Sequence, residues 1–313
     1  FSVEALKMSG LTMRSFSFLR PALLGLLAFS PAWAERTTTR IAAPGATLSV
    51  EFATEVDAAT SRDITAWLDH VADQVSMAYG RFPIDSPRIV VIPTPAGASG
   101  RDSPVPFGRV TRRGGETVEL YVDVNRPIED MYADWTATHE FSHLLLPGIS
   151  WRQRWISEGF ASYYQNVLMA RAGRYTTAQA IRKLSAGFGR GEASRPELSP
   201  NEAAQEGVSR ARYKIYWSGA AIALLADIRL RERSGGTESL DTVLGRFQHC
   251  CLPSNRRWTG TELFARFDAL IDEPVFMPLY RQYADSPGFP DTAAALANPL
   301  VRGQIFRVRT STH

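Results

Sequence analysis

The sequence predicts an α+β protein: a mixed β-sheet carrying helices, followed by a mostly helical C-terminal part. Three observations lead there. Strand-type alternation is confined to the stretch before about residue 125. Helical spacing of apolar residues dominates the remainder of the chain. The two regimes meet at one motif, His139-Glu140-Phe141-Ser142-His143.

Residues 35–47 read as an exposed leader. Leu48, Val50 and Phe52 alternate with polar neighbours and predict a strand. Ile64, Trp67, Leu68, Val71 and Val75 recur at helical spacing over 58–79, and Gly80 ends the run. Ile89-Val90-Val91-Ile92 reads as a more buried strand. The Pro- and Gly-rich stretch 93–117 predicts a loop with one hairpin arm at Phe107–Thr111. Arg112-Arg113-Gly114-Gly115 then turns into Val118–Val124, whose valines and Leu120 share one face. Ile128, Met131, Trp135 and Leu145 predict one helix over 128–146, stopped by Pro147-Gly148. A second helix runs from about Trp155 to Arg171. Helices at Thr176–Ala186, Arg212–Arg233, Ser239–Gln248, Thr261–Ile271 and Pro274–Ala284 come next, with a loop over Gly187–Pro200. Thr259 and Glu262 form a capping-box pattern ahead of the fourth of these. The apolar run Ala220–Ala226 is too short to span a bilayer. The organisation expected is a sheet-containing part, 35–146, and a helical part, 147–313, with the site in the cleft between them.

The motif between the two parts is HExxH. Histidines four apart on a helix differ by about 40° around its axis, so both imidazoles reach one metal ion. Glu140 stands where a carboxylate takes a proton from activated water. The chain has five histidines in all. Glu158, in the first turn of the next helix, returns toward the pair if the two helices run antiparallel. His139, His143 and Glu158 then complete a three-ligand zinc set with one open position, one zinc per chain. His249-Cys250-Cys251 lie too close together for easy tetrahedral closure, and the adjacent cysteines are expected as two half-buried thiols.

HExxH followed by Trp155-Ile156-Ser157-Glu158-Gly159-Phe160-Ala161-Ser162-Tyr163-Tyr164 resembles the gluzincin metallopeptidases, in their aminopeptidase-type and glycyl-aminopeptidase-like branches. Ile215-Tyr216-Trp217-Ser218-Gly219 is similar to their Y-x-K-G segment, with Ser218 in place of the lysine. The resemblance covers roughly 118–245. It implies a thermolysin-like gluzincin catalytic fold and His139, His143 and Glu158 as ligands. It further implies Glu140 as general base and Tyr216 as oxyanion donor, with Tyr213 a near neighbour of the motif position. Val118–Val124 is expected, by the same resemblance, as the edge strand that pairs with substrate backbone. The aminopeptidase branch carries a G-x-M-E-N segment whose glutamate holds the substrate amino terminus. No such segment precedes the HExxH helix here; Asp123, Glu129 and Asp130 are the candidates to replace its glutamate, and nothing in the sequence selects one. The resemblance implies hydrolysis of peptide bonds in a peptide or protein substrate. The competing classes are a silent peptidase-like binding or scaffold protein and a zinc hydrolase of another amide or ester.

Residues 1–34 read as an upstream extension and a secretory signal peptide starting at Met13 or Met8. The apolar stretch Pro21–Phe29 leads to Ala32-Trp33-Ala34, with cleavage expected after Ala34. The expected location is periplasmic or secreted, with no stable membrane span after cleavage. Removing Lys7, Arg14 and Arg20 together with Glu4 lowers the net charge from +3 to +1. With no basic block left, nucleic acid is not an expected partner.

Overall fold

The computed structural model describes residues 38–95, 97 and 102–307, so the signal-peptide reading lies outside the described residues. The described residues cluster as one compact unit. Its sheet comprises β1 (Thr38–Ala43), β2 (Ala46–Phe52), β3 (Arg88–Pro93), β4 (Phe107–Thr111) and β5 (Thr117–Val122). Strand order is β1-β2-β3-β5-β4, parallel across β2-β3-β5 and antiparallel at both margins. The expected leader is corrected in part: 38–43 is a strand. Gly45, at φ +72°, makes the tight turn that folds it back onto β2, and Ile41 is buried.

Register explains the sheet's inner face. Val50 pairs with Ile89 and Ile89 with Val118, while Phe52 pairs with Val91 and Val91 with Leu120. Paired residues point the same way, so one face presents a continuous apolar layer. Helix α1 (Ala58–Ser76) crosses from β2 to β3 and buries Ile64, Trp67, Leu68, Val71 and Val75. Each such side chain removed from water contributes about 1.5–3 kcal/mol. Asp57 caps α1 by accepting from the amides of Ala59 and Thr60.

The single helix expected over 128–146 is instead α2 (Ile128–Ala133), α3 (Thr136–Ser142) and a 3-10 turn at His143–Leu145. The break is at Asp134, extended at ψ 143°. Its carboxylate accepts the Thr136 amide at 2.7 Å and the Ser103 hydroxyl at 2.7 Å. A residue that bonds its own neighbouring backbone offers the chain an alternative to helix. Apolar periodicity continues through the break and hides it.

Beyond a second 3-10 turn at Trp151–Gln153 the chain is helical: α4 (Arg154–Arg171), α5 (Thr177–Ala193), α6 (Pro200–Glu206) and α7 (Val208–Arg233). Next come α8 (Leu240–Cys251), α9 (Gly260–Asp268), α10 (Phe276–Tyr283), α11 (Thr292–Ala297) and a π-helical turn at Val301–Ile305. The loop expected over Gly187–Pro200 is helix as far as Ala193. Its glycines are contact points rather than breakers. A Cβ on Gly187 would lie 2.3 Å from the Trp217 ring, and one on Gly191 would lie 2.6 Å from Trp217 Cβ. The capping box at Thr259 and Glu262 is present, with partners at Thr176/Gln179, Ser199/Glu202 and Ser239/Thr242. Cys250 and Cys251 are joined in a vicinal disulfide, not held as two thiols, their Cα atoms being 3.7 Å apart. Among the described residues no helix is long and apolar enough to cross a membrane.

Candidate active site

α3 is wholly buried, wedged between α1, β4 and α4. Thr138 ties it to α1 by donating to Gln74 Oε1 at 2.9 Å. Its C-terminal end is held by Arg112, whose guanidinium donates to the carbonyls of His143 and Leu146 at 2.8 and 3.0 Å and pairs with Glu116 at 2.5 Å. A cation on the last carbonyls satisfies groups the helix leaves unpaired. Arg112 reads in the sequence only as part of a turn.

The structure brings His139, His143 and Glu158 together. Nε2 of each histidine lies 3.5 Å from Glu158 Oε2. Ligand atoms of all three lie within 4.8 Å of one another, and no other such cluster occurs among the described residues. Donors ~2.0–2.2 Å from a tetrahedral zinc stand ~3.3–3.6 Å apart, so the donor set fits that ion. Both histidines are fixed from behind. His139 Nδ1 meets Gln165 Oε1 at 3.0 Å, and His143 Nδ1 meets Ser157 Oγ at 2.9 Å. Each ring thereby turns Nε2 toward the cluster. Sequence reasoning missed both helpers. The signal was there for Gln165, which sits seven residues after Glu158 and so shares its helix face.

Charges in this cluster are interdependent. Burial disfavours the His139 imidazolium, but the Glu158 hydrogen bond and the carboxylates of Glu140 and Glu158 outweigh it, and the net shift is upward. Burial likewise works against the Glu158 carboxylate; the two histidines overcome it and hold its pKa far below the usual range. Glu140 goes the other way: burial pushes it up despite both histidines.

β4 runs beside Glu140. A Cβ on Gly108 would fall 2.4 Å from Glu140 Cγ, so only glycine lets the strand come this close. The edge-strand expectation needs correction here. Of Val118–Val124 only 118–122 are strand, within β5, which is paired on both sides; the free edge at the site belongs to β4. A hairpin places its first arm outermost when the second arm inserts next to β3, and local alternation does not report that order.

Tyr216 lies 5.8 Å from His139, ring stacked on ring with 5° between the planes. Burial, then the neighbouring Glu158 and Glu140, push its hydroxyl pKa far upward, so it stays a donor. Tyr213 is 43% exposed and stacks against Arg190 and Arg212 instead. One cavity of about 600 Å³ is lined by Phe107, Gly108, His139, Glu140, Tyr216 and Asn166, with Lys183, Arg190, Arg212 and Tyr213 along its α5–α7 side. Asp123, Glu129 and Asp130 do not line it. Asp123 accepts from Asn125, and Asp130 pairs with Arg126 at 3.6 Å.

Residues 149–221 match the family model of the M61 glycyl aminopeptidase, a segment that includes Glu158 and Tyr216. No curated protein matches the sequence significantly. Among solved structures the chain is similar to an aminopeptidase N family protein from Idiomarina loihiensis, at 17% identity and TM-score 0.61, covering 84% of this chain and 49% of that one. An M1 zinc metallopeptidase from Deinococcus radiodurans aligns at 16% identity and TM-score 0.50, covering 82% and 52%. Native yeast LTA4 hydrolase aligns at 13% and 0.52, covering 83% and 41%. The chain therefore spans about half the length, or less, of these structures, and at such identities the likeness is one of fold. By that fold, the family-model match and the HExxH and Glu158 blocks, the chain resembles the gluzincin zinc metallopeptidases of the glycyl-aminopeptidase and aminopeptidase types.

Proposed function

We propose that this protein is a zinc-dependent peptidase of thermolysin-like gluzincin architecture. It would bind one zinc per chain and be exported, the last on the sequence of 13–34 alone. The observation that carries the reading is the cluster of His139, His143 and Glu158, with both imidazoles 3.5 Å from the Glu158 carboxylate, beside a cavity that His139, Glu140 and Tyr216 line. Zinc held by His139, His143 and Glu158 would polarise the scissile carbonyl and acidify nearby water. Glu140 accepts the proton of the attacking water and returns it to the departing amine; burial raises its pKa, which favours proton uptake. The Tyr216 hydroxyl donates to the carbonyl oxygen as that atom gains charge. Gln165 and Ser157 keep the imidazoles from rotating. The free edge of β4 accepts substrate backbone as an added strand, and Gly108 admits it next to Glu140.

The experiment is digestion of a random peptide library by the zinc-loaded protein, read by mass spectrometry. Cleavage should be abolished by chelation and restored by zinc. Glu140→Gln should keep the metal and lose activity by roughly 10²–10⁴-fold, the usual contribution of a general base. Zinc-loaded protein that cleaves no peptide overturns the reading.

A further inference from the structure

Glu140 apart, the acidic and basic residues described as lining the cavity are all cationic. Among its described lining residues Glu140 is the one carboxylate, while Lys183, Arg190 and Arg212 stand on the α5–α7 side. Their partners are aromatic faces. Arg190 lies 5.3 Å from the Trp217 ring and 5.7 Å from the Tyr213 ring, Arg212 lies 5.4 Å from Tyr213, and Lys183 lies 4.7 Å from Tyr175. No ion pair or hydrogen bond engages these three side chains among the described residues, although most other arginines here have one. Stacking uses the flat face of a guanidinium and leaves its N–H edge free, the edge that matches a carboxylate in a two-point bond. A second observation points the same way. Asn166 is 1% exposed and lines the same cavity. Its Nδ2 donates to Ser162 O at 2.8 Å, but its Oδ1 has no partner. A buried amide oxygen left open costs about 1–3 kcal/mol unless something donates to it, and a bound peptide has N–H groups to offer.

We propose that the α5–α7 wall is a carboxylate-binding subsite: Arg190 and Arg212, assisted by Lys183, hold a substrate carboxylate while Asn166 Oδ1 accepts a substrate N–H. The proposal rests on the peptidase reading for the identity of the ligand as a peptide. The carboxylate belongs to an acidic side chain or to the free C-terminus of a short peptide; the two share one chemistry. The same wall disfavours a substrate ammonium, which fits the placement of Asp123 and Asp130 away from the cavity.

The test uses zinc-loaded, full-chain Glu140→Gln protein and fluorescent peptides of one parent sequence. They differ by Glu against Gln at single positions, and by free carboxyl against carboxamide at the end. Carboxylate-bearing peptides should bind about tenfold more tightly than their neutral counterparts, the worth of one good charge-assisted bond. Arg190→Gln/Arg212→Gln should bring that ratio to within about twofold, and Arg190→Glu/Arg212→Glu should turn the preference toward a Lys-bearing peptide. Arg190→Lys/Arg212→Lys keeps the charge without the fork and should retain part of the ratio. A preference that follows Glu against Gln assigns the side chain; one that follows acid against amide assigns the C-terminus. No preference in the parent protein, a preference that survives the double Gln substitution, or no binding of any peptide overturns the proposal. Cleavage of the same peptides by protein with Glu140 intact separates the two readings. Preference without cleavage leaves the subsite and removes the peptidase, and cleavage without preference does the reverse.

Discussion

Glu158 and Tyr216 are each followed closely by a glycine, and those glycines touch. Among the described residues α4 and α7 share the most extensive helix contact, and Gly159 meets Gly219 within it. A Cβ on Gly159 would lie 2.2 Å from Gly219 Cα and 2.6 Å from Ala220 N. A Cβ on Gly219 would lie 2.0 Å from Trp155 O. Ordinary carbon contacts run ~3.5–4.0 Å, so either alanine forces the helices apart by about 1.5 Å, backbone against backbone, where no rotamer gives relief. Overpacking of this kind costs about 3 kcal/mol, the upper end of the usual range. Alanine gains about 1 kcal/mol over glycine in helix propensity, leaving a net loss of roughly 2 kcal/mol. The site should suffer as well: displacing a catalytic group by ~1 Å costs about 10²-fold in rate. Urea unfolding of Gly159→Ala and Gly219→Ala measures the first effect and peptide turnover the second. Gly189→Ala is the control, since Gly189 is exposed on α5 with nothing within 4 Å of its would-be Cβ, and it should be stabilised by roughly 0.5–1 kcal/mol. If Gly159→Ala is as stable as the parent protein, propensity has won and the close-packing argument is wrong.

Tyr216→Phe should lower turnover by about 10²–10³-fold with zinc content and peptide binding nearly intact, because the lost hydroxyl acts only when the carbonyl oxygen gains charge. Tyr213→Phe should change turnover far less; sensitivity at Tyr213 instead would move the oxyanion role one helical turn. Metal analysis should give one zinc per chain, lost in His143→Ala/Glu158→Ala; stoichiometric zinc in that double variant would remove the ligand assignment. Gln165→Leu should weaken zinc binding by about 10–100-fold, since it frees the His139 ring, and an unchanged affinity would show the ring is fixed by packing alone.

What the sequence reveals of this fold is what repeats locally. The strands with one apolar face, at Leu48–Phe52 and Ile89–Ile92, and α1 with its five buried apolar residues need only their own spacing to be seen. Errors cluster where a residue's partner is distant. Gly187 and Gly191 read as loop because their reason for being glycine is Trp217, on another helix. Asp134 breaks the 128–146 helix by bonding its own backbone and Ser103, which apolar periodicity does not register. β4 takes the sheet edge because β5 inserts beside β3, a choice made by the whole sheet.

The same division separates the proposed reacting groups from the groups that aim them. His139, Glu140 and His143 are legible because one helical turn sets their mutual geometry, and Glu158 because it comes in a short antiparallel return. Gln165, Ser157, Arg112 and Gly108 act on those groups from outside the motif, and each is of a type common on any surface. Their roles appear only when distances are known. The cationic wall belongs with them: Arg190 and Arg212 lie on different helices, and only the packing of α5 on α7 turns two ordinary surface arginines into neighbours sharing the Tyr213 ring. The proposed carboxylate subsite is therefore a product of tertiary packing, whereas His139, Glu140 and His143 take their mutual geometry from a single turn.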